Sequence, residues 1–132
     1  LKCTVKGCKN TGLSVFTGAT VTATQCDFME NGNRGVYCDG TTTKVRLNDC
    51  TMHHNGGDGL SAWNHVVVDL HGTKTEIYSN KGNGIYAHDH GKVNIHLPSQ
   101  HNISHDNVEE DRRQISVNYG QTNGTITNVE DE

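Results

Sequence analysis

The stretch CDFMENGNRGVYCDG (Cys26–Gly40) carries the reading of the fold. Small or apolar residues alternate at Cys26 and Phe28, an asparagine follows at Asn31 and a glycine at Gly35, and alternation resumes at Val36 and Cys38. Alternation over so few residues marks a short strand rather than a helix. The arrangement returns in CTVKGCKNTGLSVF (Cys3–Phe16), CTMHHNGGDGLSAW (Cys50–Trp63) and TEIYSNKGNGIYAH (Thr75–His88). Gly12, Gly35, Gly59 and Gly84 stand 23, 24 and 25 residues apart. Asn31, Asn55 and Asn80 keep step with them, and Cys8 takes the asparagine place in the first copy. A fifth, degraded copy begins at His101-Asn102-Ile103, with Asp106 in the asparagine place. Self-similarity at such a period is the mark of a repeat architecture.

A third alternating pair completes each period: Val21/Ala23, Val45/Leu47, Val68/Leu70 and Val93/Ile95. Three short strands in about 24 residues describe one coil of a parallel β-helix, in which each coil hydrogen-bonds to the next and equivalent residues stack at about 4.8 Å. The glycines precede the second strand, where a positive φ or a close backbone approach excludes a side chain. The asparagines stack coil on coil through their amides, a structural role.

Composition agrees with a slender core. The 132 residues are 32% hydrophobic, 5% aromatic and 20% charged, with 15 glycines, one proline and net charge −4. A conventional globule carries about 45–50% apolar residues, whereas a thin core repeated coil after coil needs fewer. No apolar run is long enough for a membrane span. No signal-peptide pattern opens the chain. With 11 Lys+Arg and no basic block, nucleic acid is not an expected partner.

Residues 1–107 read as regular coils and 108–132 as a modified last coil or cap. After Asn107 the charged run VEEDRRQ (Val108–Gln114) stands where glycine and an apolar residue are due. Ile115/Val117 then resume the second strand, and Ile126 with Val129 the third. The chain starts inside a coil at Leu1-Lys2-Cys3, which suggests part of a longer solenoid or end-to-end stacking with another copy. Cys3, Cys26 and Cys50 fall in one inward column and Cys38 in another. Five cysteines cannot all pair within one chain, and stacked small thiols suit a packed column. Free thiols favour a reducing intracellular compartment, while the sequons at Asn102 and Asn123 pull the other way.

If Val36 and Cys38 point inward, Tyr37 and Asp39 point outward. The same register exposes Ser14 and Phe16, Ser61 and Trp63, Tyr86 and His88, with Thr11, Arg34, Asp58 and Asn83 just before them. Phe16, Tyr37, Trp63 and Tyr86 are therefore the candidate ligand-binding residues, suited to sugar faces. Such rings can equally cover one another or a neighbouring domain. Candidate catalytic residues on this face are Arg34, Asp39, Asp58 and His88. Asp39 and Asp58, on adjacent coils, could supply the paired carboxylates of glycoside hydrolysis. Nine histidines cluster after residue 52. His88 and His90 would share a strand face and His53 and His54 would take alternate sides, but no third ligand accompanies either pair and no metal site is assigned.

The pattern N-x-x-x-G-apolar-x-apolar, at Asn31–Cys38, Asn55–Ala62 and Asn80–Ala87, resembles the right-handed parallel β-helix repeats of the pectate-lyase-like superfamily. It is similar to the β-helix modules of F-box-only ubiquitin ligase adaptors and of carbohydrate-processing enzymes. Gly91–Asn107 also resembles β-helix repeat proteins of marine algae and their large viruses. The resemblance implies an all-β, right-handed single-stranded parallel β-helix of about five coils. Its lyases and epimerases abstract a proton beside a carboxylate, and calcium would be a cofactor only in that case; the acidic calcium cluster and the D-P-H-E motif are not evident here. The leading expectation is a module that recognises polysaccharide on the aromatic face, with or without processing it. A structural or protein-interaction scaffold, oligomeric or of virion or adaptor type, is the second. A polysaccharide lyase, epimerase or glycoside hydrolase is the third.

Overall fold

The computed structural model describes residues 2–98, 101–114 and 124–129. Its elements are fifteen strands, running three to a coil through five coils. The first sheet contains β1 (Cys3–Lys6), β4 (Cys26–Met29), β7 (Thr51–His53), β10 (Glu76–Tyr78) and β13 (Ser104–His105). The second contains β2 (Leu13–Val15), β5 (Val36–Asp39), β8 (Leu60–Trp63), β11 (Ile85–His88) and β14 (Arg112–Gln114). The third contains β3 (Thr20–Thr24), β6 (Lys44–Asn48), β9 (Val67–His71), β12 (Lys92–Ile95) and β15 (Thr125–Asn128). Every pairing is parallel, and the strands the sequence equates are those that pair: Phe28 with Met52, Val36 with Leu60, Val45 with Val68.

The inward residues form apolar columns. On the first sheet Phe28, Met52 and Ile77 are buried, on the second Val36, Leu60 and Ile85, on the third Val45, Val68 and Val93. Each lies over its counterpart, so a few apolar side chains per coil suffice to fill the interior.

The asparagine column explains the repeat motif. Asn31, Asn55 and Asn80 are at most 2% exposed. Asn31 Nδ2 donates to Asn55 Oδ1 (3.0 Å), Asn55 Nδ2 to Asn80 Oδ1 (2.9 Å) and Asn80 Nδ2 to Asn107 Oδ1 (2.9 Å). Each amide oxygen also accepts a backbone N–H from the preceding coil, and each amide nitrogen donates to a strand carbonyl, as Asn55 does to Phe28 O (3.0 Å). The residue before each asparagine is left-handed: Glu30, His54, Ser79 and Asp106 have φ of 54–56°. That conformation turns the chain out of the first sheet and aims the asparagine inward.

The glycine column serves the ladder. Gly12, Gly35, Gly59 and Gly84 are not left-handed, so close approach is what excludes a side chain. A Cβ on Gly35 would lie 2.8 Å from Asn55 Nδ2, and one on Gly59 2.7 Å from Asn80 Nδ2. The asparagine of one coil therefore needs the glycine of the coil before it.

Two expectations for the last coil are corrected. Asn107, not Asp106, continues the ladder, because Ile77 pairs with Ser104 and the register moves by one residue. The strand in register with β11 is Arg112–Gln114, whose polar residues occupy the positions where apolar ones were due. Ile115 and Val117 lie outside the described residues. Ile126 takes its expected place, paired with Val93.

All five cysteines are free, with Cys3 exposed and Cys38 and Cys50 buried. Burial pushes the Cys38 thiol up to about 12 from 9.0. Near neutral pH its thiolate fraction is thus roughly a thousandfold below that of an ordinary thiol. A colorimetric thiol titration of the native protein is expected to register Cys3 at once and Cys38 only on denaturation; fast modification of Cys38 would contradict its burial. Linkage adds a pH dependence. Above about pH 9 the unfolded chain releases the Cys38 proton while the folded chain keeps it. Stability then falls by about 1.4 kcal/mol per pH unit from this group, until the folded thiol itself titrates. Urea midpoints at pH 8 and pH 10, with Cys38→Ala as reference, check the sign.

Candidate functional site

The outer face of the second sheet gathers the expected aromatic residues. Tyr37 pairs with Ser61 and Ser61 with Tyr86, while Asp39 pairs with Trp63 and Trp63 with His88. The rings meet diagonally across the coils. Phe16 packs edge-on against Tyr37 (centroids 5.7 Å) and Tyr37 against Trp63 (6.3 Å), and Trp63 stacks on Tyr86 (5.7 Å). A continuous aromatic strip thus runs along the helix axis through four coils. Phe16 is 55% exposed and the other three rings are half-buried.

Two guanidiniums flank the strip. Arg34 Cζ lies 4.7 Å from the Tyr37 ring centroid and 6.0 Å from that of Trp63, and Arg113 Cζ lies 5.4 Å from that of Tyr86. These are cation–π distances. Burial, then the hydrogen bond to Asp39, pushes the Tyr37 phenol up to about 12.

The candidate catalytic residues sit in this patch, and the two carboxylates among them are engaged in hydrogen bonds. Asp39 accepts from Tyr37 Oη (2.5 Å) and from Asn64 Nδ2 (2.9 Å). Asp58 accepts from Ser61 Oγ (2.8 Å), Asn83 N (2.8 Å) and Asn83 Nδ2 (3.1 Å), with Arg34 Nε at 3.8 Å. Its position equals that of Asn83 one coil on, and the carboxylate caps that turn. Ser61, expected to be exposed, is fully buried between Tyr37 and Tyr86 because its hydroxyl turns back to Asp58. His88 lies against Trp63 (4.3 Å), and its Nδ1 and Trp63 Nε1 are both buried without a protein partner. The structure therefore joins Arg34 to Asp58, Tyr37 to Asp39 and Trp63 to His88.

A model described as the right handed beta helix region matches residues 1–75, more than half of the chain. The chain belongs to the right-handed β-helix family. No curated protein and no solved structure matches it.

In this β-helix the histidines fall differently from their expected places. His54 is left-handed, which swings it back beside His53 (Nδ1–Nδ1 2.6 Å) instead of to the opposite side. His53 stacks on Tyr78 (4.8 Å, interplanar 1°) and Tyr78 on His105 (5.6 Å), a second aromatic column on the first sheet. His90 does not share a face with His88. Asp89 and His90 are both left-handed, and His90 stacks on His65 (4.3 Å). On the third sheet Asp69, His71 and His96 converge, a group that reading each strand separately misses. The signal was present in the repeat: His71 and His96 are one period apart, and Asp69 shares a face with His71 two residues on. Burial pushes the Asp69 carboxyl up, but hydrogen bonds from His96 and Asn94 outweigh it and hold it below the usual carboxylate range.

Proposed function

We propose that this β-helix binds an elongated polysaccharide along the Phe16–Tyr37–Trp63–Tyr86 strip and does not cleave it. The observation that carries the reading is the unbroken chain of rings across four coils. An extended, chemically repetitive surface suits an extended, repetitive ligand, and aromatic rings offer apolar faces to the C–H faces of sugars. Arg34 and Arg113 at the borders of the strip suit hydroxyls or carboxylates on the polymer. The engagement of Asp39 and Asp58 in several hydrogen bonds each supports binding over proton transfer, since neither stands ready as a free acid or base.

Trp63 is the sole tryptophan, so its emission reports on the strip alone. Titration with a panel of neutral and uronate-bearing polysaccharides is expected to shift that emission saturably. Tyr86→Ala should weaken the interaction by about tenfold or more, about 1.4 kcal/mol for one stacked ring. Unchanged emission with every polymer, or undiminished affinity in Tyr86→Ala, counts against the proposal. A protein-docking scaffold is the second reading, favoured by the exposed Phe16 at one end of the strip. It predicts that Phe16→Ala abolishes capture of a protein partner while leaving any glycan response unchanged.

A further inference from the structure

We infer that the outer face of the third sheet holds a divalent transition-metal site built from Asp69, His71 and His96. The three residues each offer one ligand atom, and these atoms lie within 4.8 Å of one another. Two imidazoles and a carboxylate are a donor set suited to zinc and its neighbours, and too rich in nitrogen for calcium or magnesium. Three protein ligands leave a tetrahedral ion one position for water.

The repeat builds the site. Asp69 and His71 are two residues apart on β9 and share its outer face. His96 N donates to Leu70 O (2.8 Å), which seats His96 directly over His71. The two imidazoles stack with centroids 4.0 Å apart and planes 7° from parallel. His96 Nε2 lies 2.7 Å from Asp69 Oδ1, and Asn94 Nδ2 donates to the same oxygen (3.1 Å). Asn94 thus helps to fix the carboxylate, the kind of orienting contact that metal ligands commonly receive. Arg46, one coil back in the Asp69 column, is turned away to Asn48 (Nε–Oδ1 3.0 Å) and leaves the carboxylate to the histidines.

An ion would take the place of the proton that His96 and Asp69 share, and that proton would leave to solvent. Ligand atoms about 2.0–2.1 Å from a tetrahedral ion are about 3.3 Å apart. The 2.7 Å pair must therefore open slightly, and the stacked rings must splay about their Cβ–Cγ bonds to bring nitrogen lone pairs onto one point. Both movements are of side chains alone, since the three residues project from the outside of a paired sheet.

The test is calorimetric titration of chelator-treated protein with zinc chloride, paired with the visible spectrum of the cobalt(II) form. One ion per chain is expected, with tetrahedral cobalt bands and no sulfur-to-cobalt charge transfer. His71→Ala and His96→Ala should each weaken zinc by at least about a hundredfold, beyond the 10–100-fold typical of losing an orienting contact. His65→Ala, in the other stacked pair, and His53→Ala should leave affinity within about twofold of the parent protein's, by the independence of distant sites. Circular dichroism of each variant checks that the solenoid is intact. Zinc binding unaffected in both His71→Ala and His96→Ala, lost in His65→Ala, accompanied by thiolate charge transfer, or absent from the parent protein overturns the assignment.

Discussion

Asn55→Ala is expected to lower unfolding stability by about 3–5 kcal/mol, a large part of the 5–15 kcal/mol typical of a domain. The side chain is completely buried and all its polar atoms are bonded. Its oxygen accepts from Asn31 N (3.1 Å) and Asn31 Nδ2 (3.0 Å), and its nitrogen donates to Phe28 O (3.0 Å) and Asn80 Oδ1 (2.9 Å). Alanine leaves two donors of Asn31 and the Phe28 carbonyl without these partners inside the coil. Each such group costs about 1–3 kcal/mol, reduced where water enters the gap. Asn55→Asp separates the two halves of the amide: it restores an acceptor but sets a carboxylate against Phe28 O and Asn80 Oδ1, so it should not rescue. Urea unfolding followed by circular dichroism measures both variants. A loss below about 1 kcal/mol for Asn55→Ala would mean that the ladder merely fills space.

Gly59→Ala should be comparably severe for a different reason. A Cβ there would lie 2.5 Å from Ile77 Cγ2, 2.7 Å from Asn80 Nδ2 and 2.9 Å from Gly84 O. Backbone and ladder are fixed on that side by the coil-to-coil bonds of Gly59 N to Asn83 O (3.0 Å) and Leu60 N to Gly84 O (2.9 Å). Relief requires the third and fourth coils to part, so the cost is expected at about 3 kcal/mol or more, the upper end for overpacking. Gly7→Ala is the control. Gly7 has φ of +70° but nothing within 4 Å of a Cβ, so its cost is conformational alone, about 1–2 kcal/mol. Thermal unfolding of the pair should rank Gly59→Ala well below Gly7→Ala; the reverse order would show that backbone conformation, not contact between coils, limits this column.

These two positions also show why the fold was legible. The motif N-x-x-x-G looks local, yet its asparagine and glycine act on different coils: Gly59 makes room for Asn80, not for Asn55. The requirement recurs on every coil, and repetition displays it in the sequence at a fixed period. The aromatic strip was legible for the same reason, since strand alternation assigns Tyr37, Trp63 and Tyr86 to one face. Less legible was what holds the polar residues between them. Asp39 and Asp58 read as free acids on the outward face, and only the folded chain brings Tyr37, Asn64, Ser61 and Asn83 onto their oxygens.

Period, strand count, the inward columns and the ring-bearing face were determined by the sequence alone, because a strand's alternation is local and each coil repeats the demands of the last. The tertiary structure decided the register of the final coil at Asn107 and the left-handed turns that redirect His54 and His90. It also decided the meeting of Asp69, His71 and His96. Those outcomes depend on φ at single turn residues and on side-chain torsions that bring atoms from different coils within a few ångströms. A spacing of 24 or 25 residues states that two side chains are stacked; it does not state which way they turn.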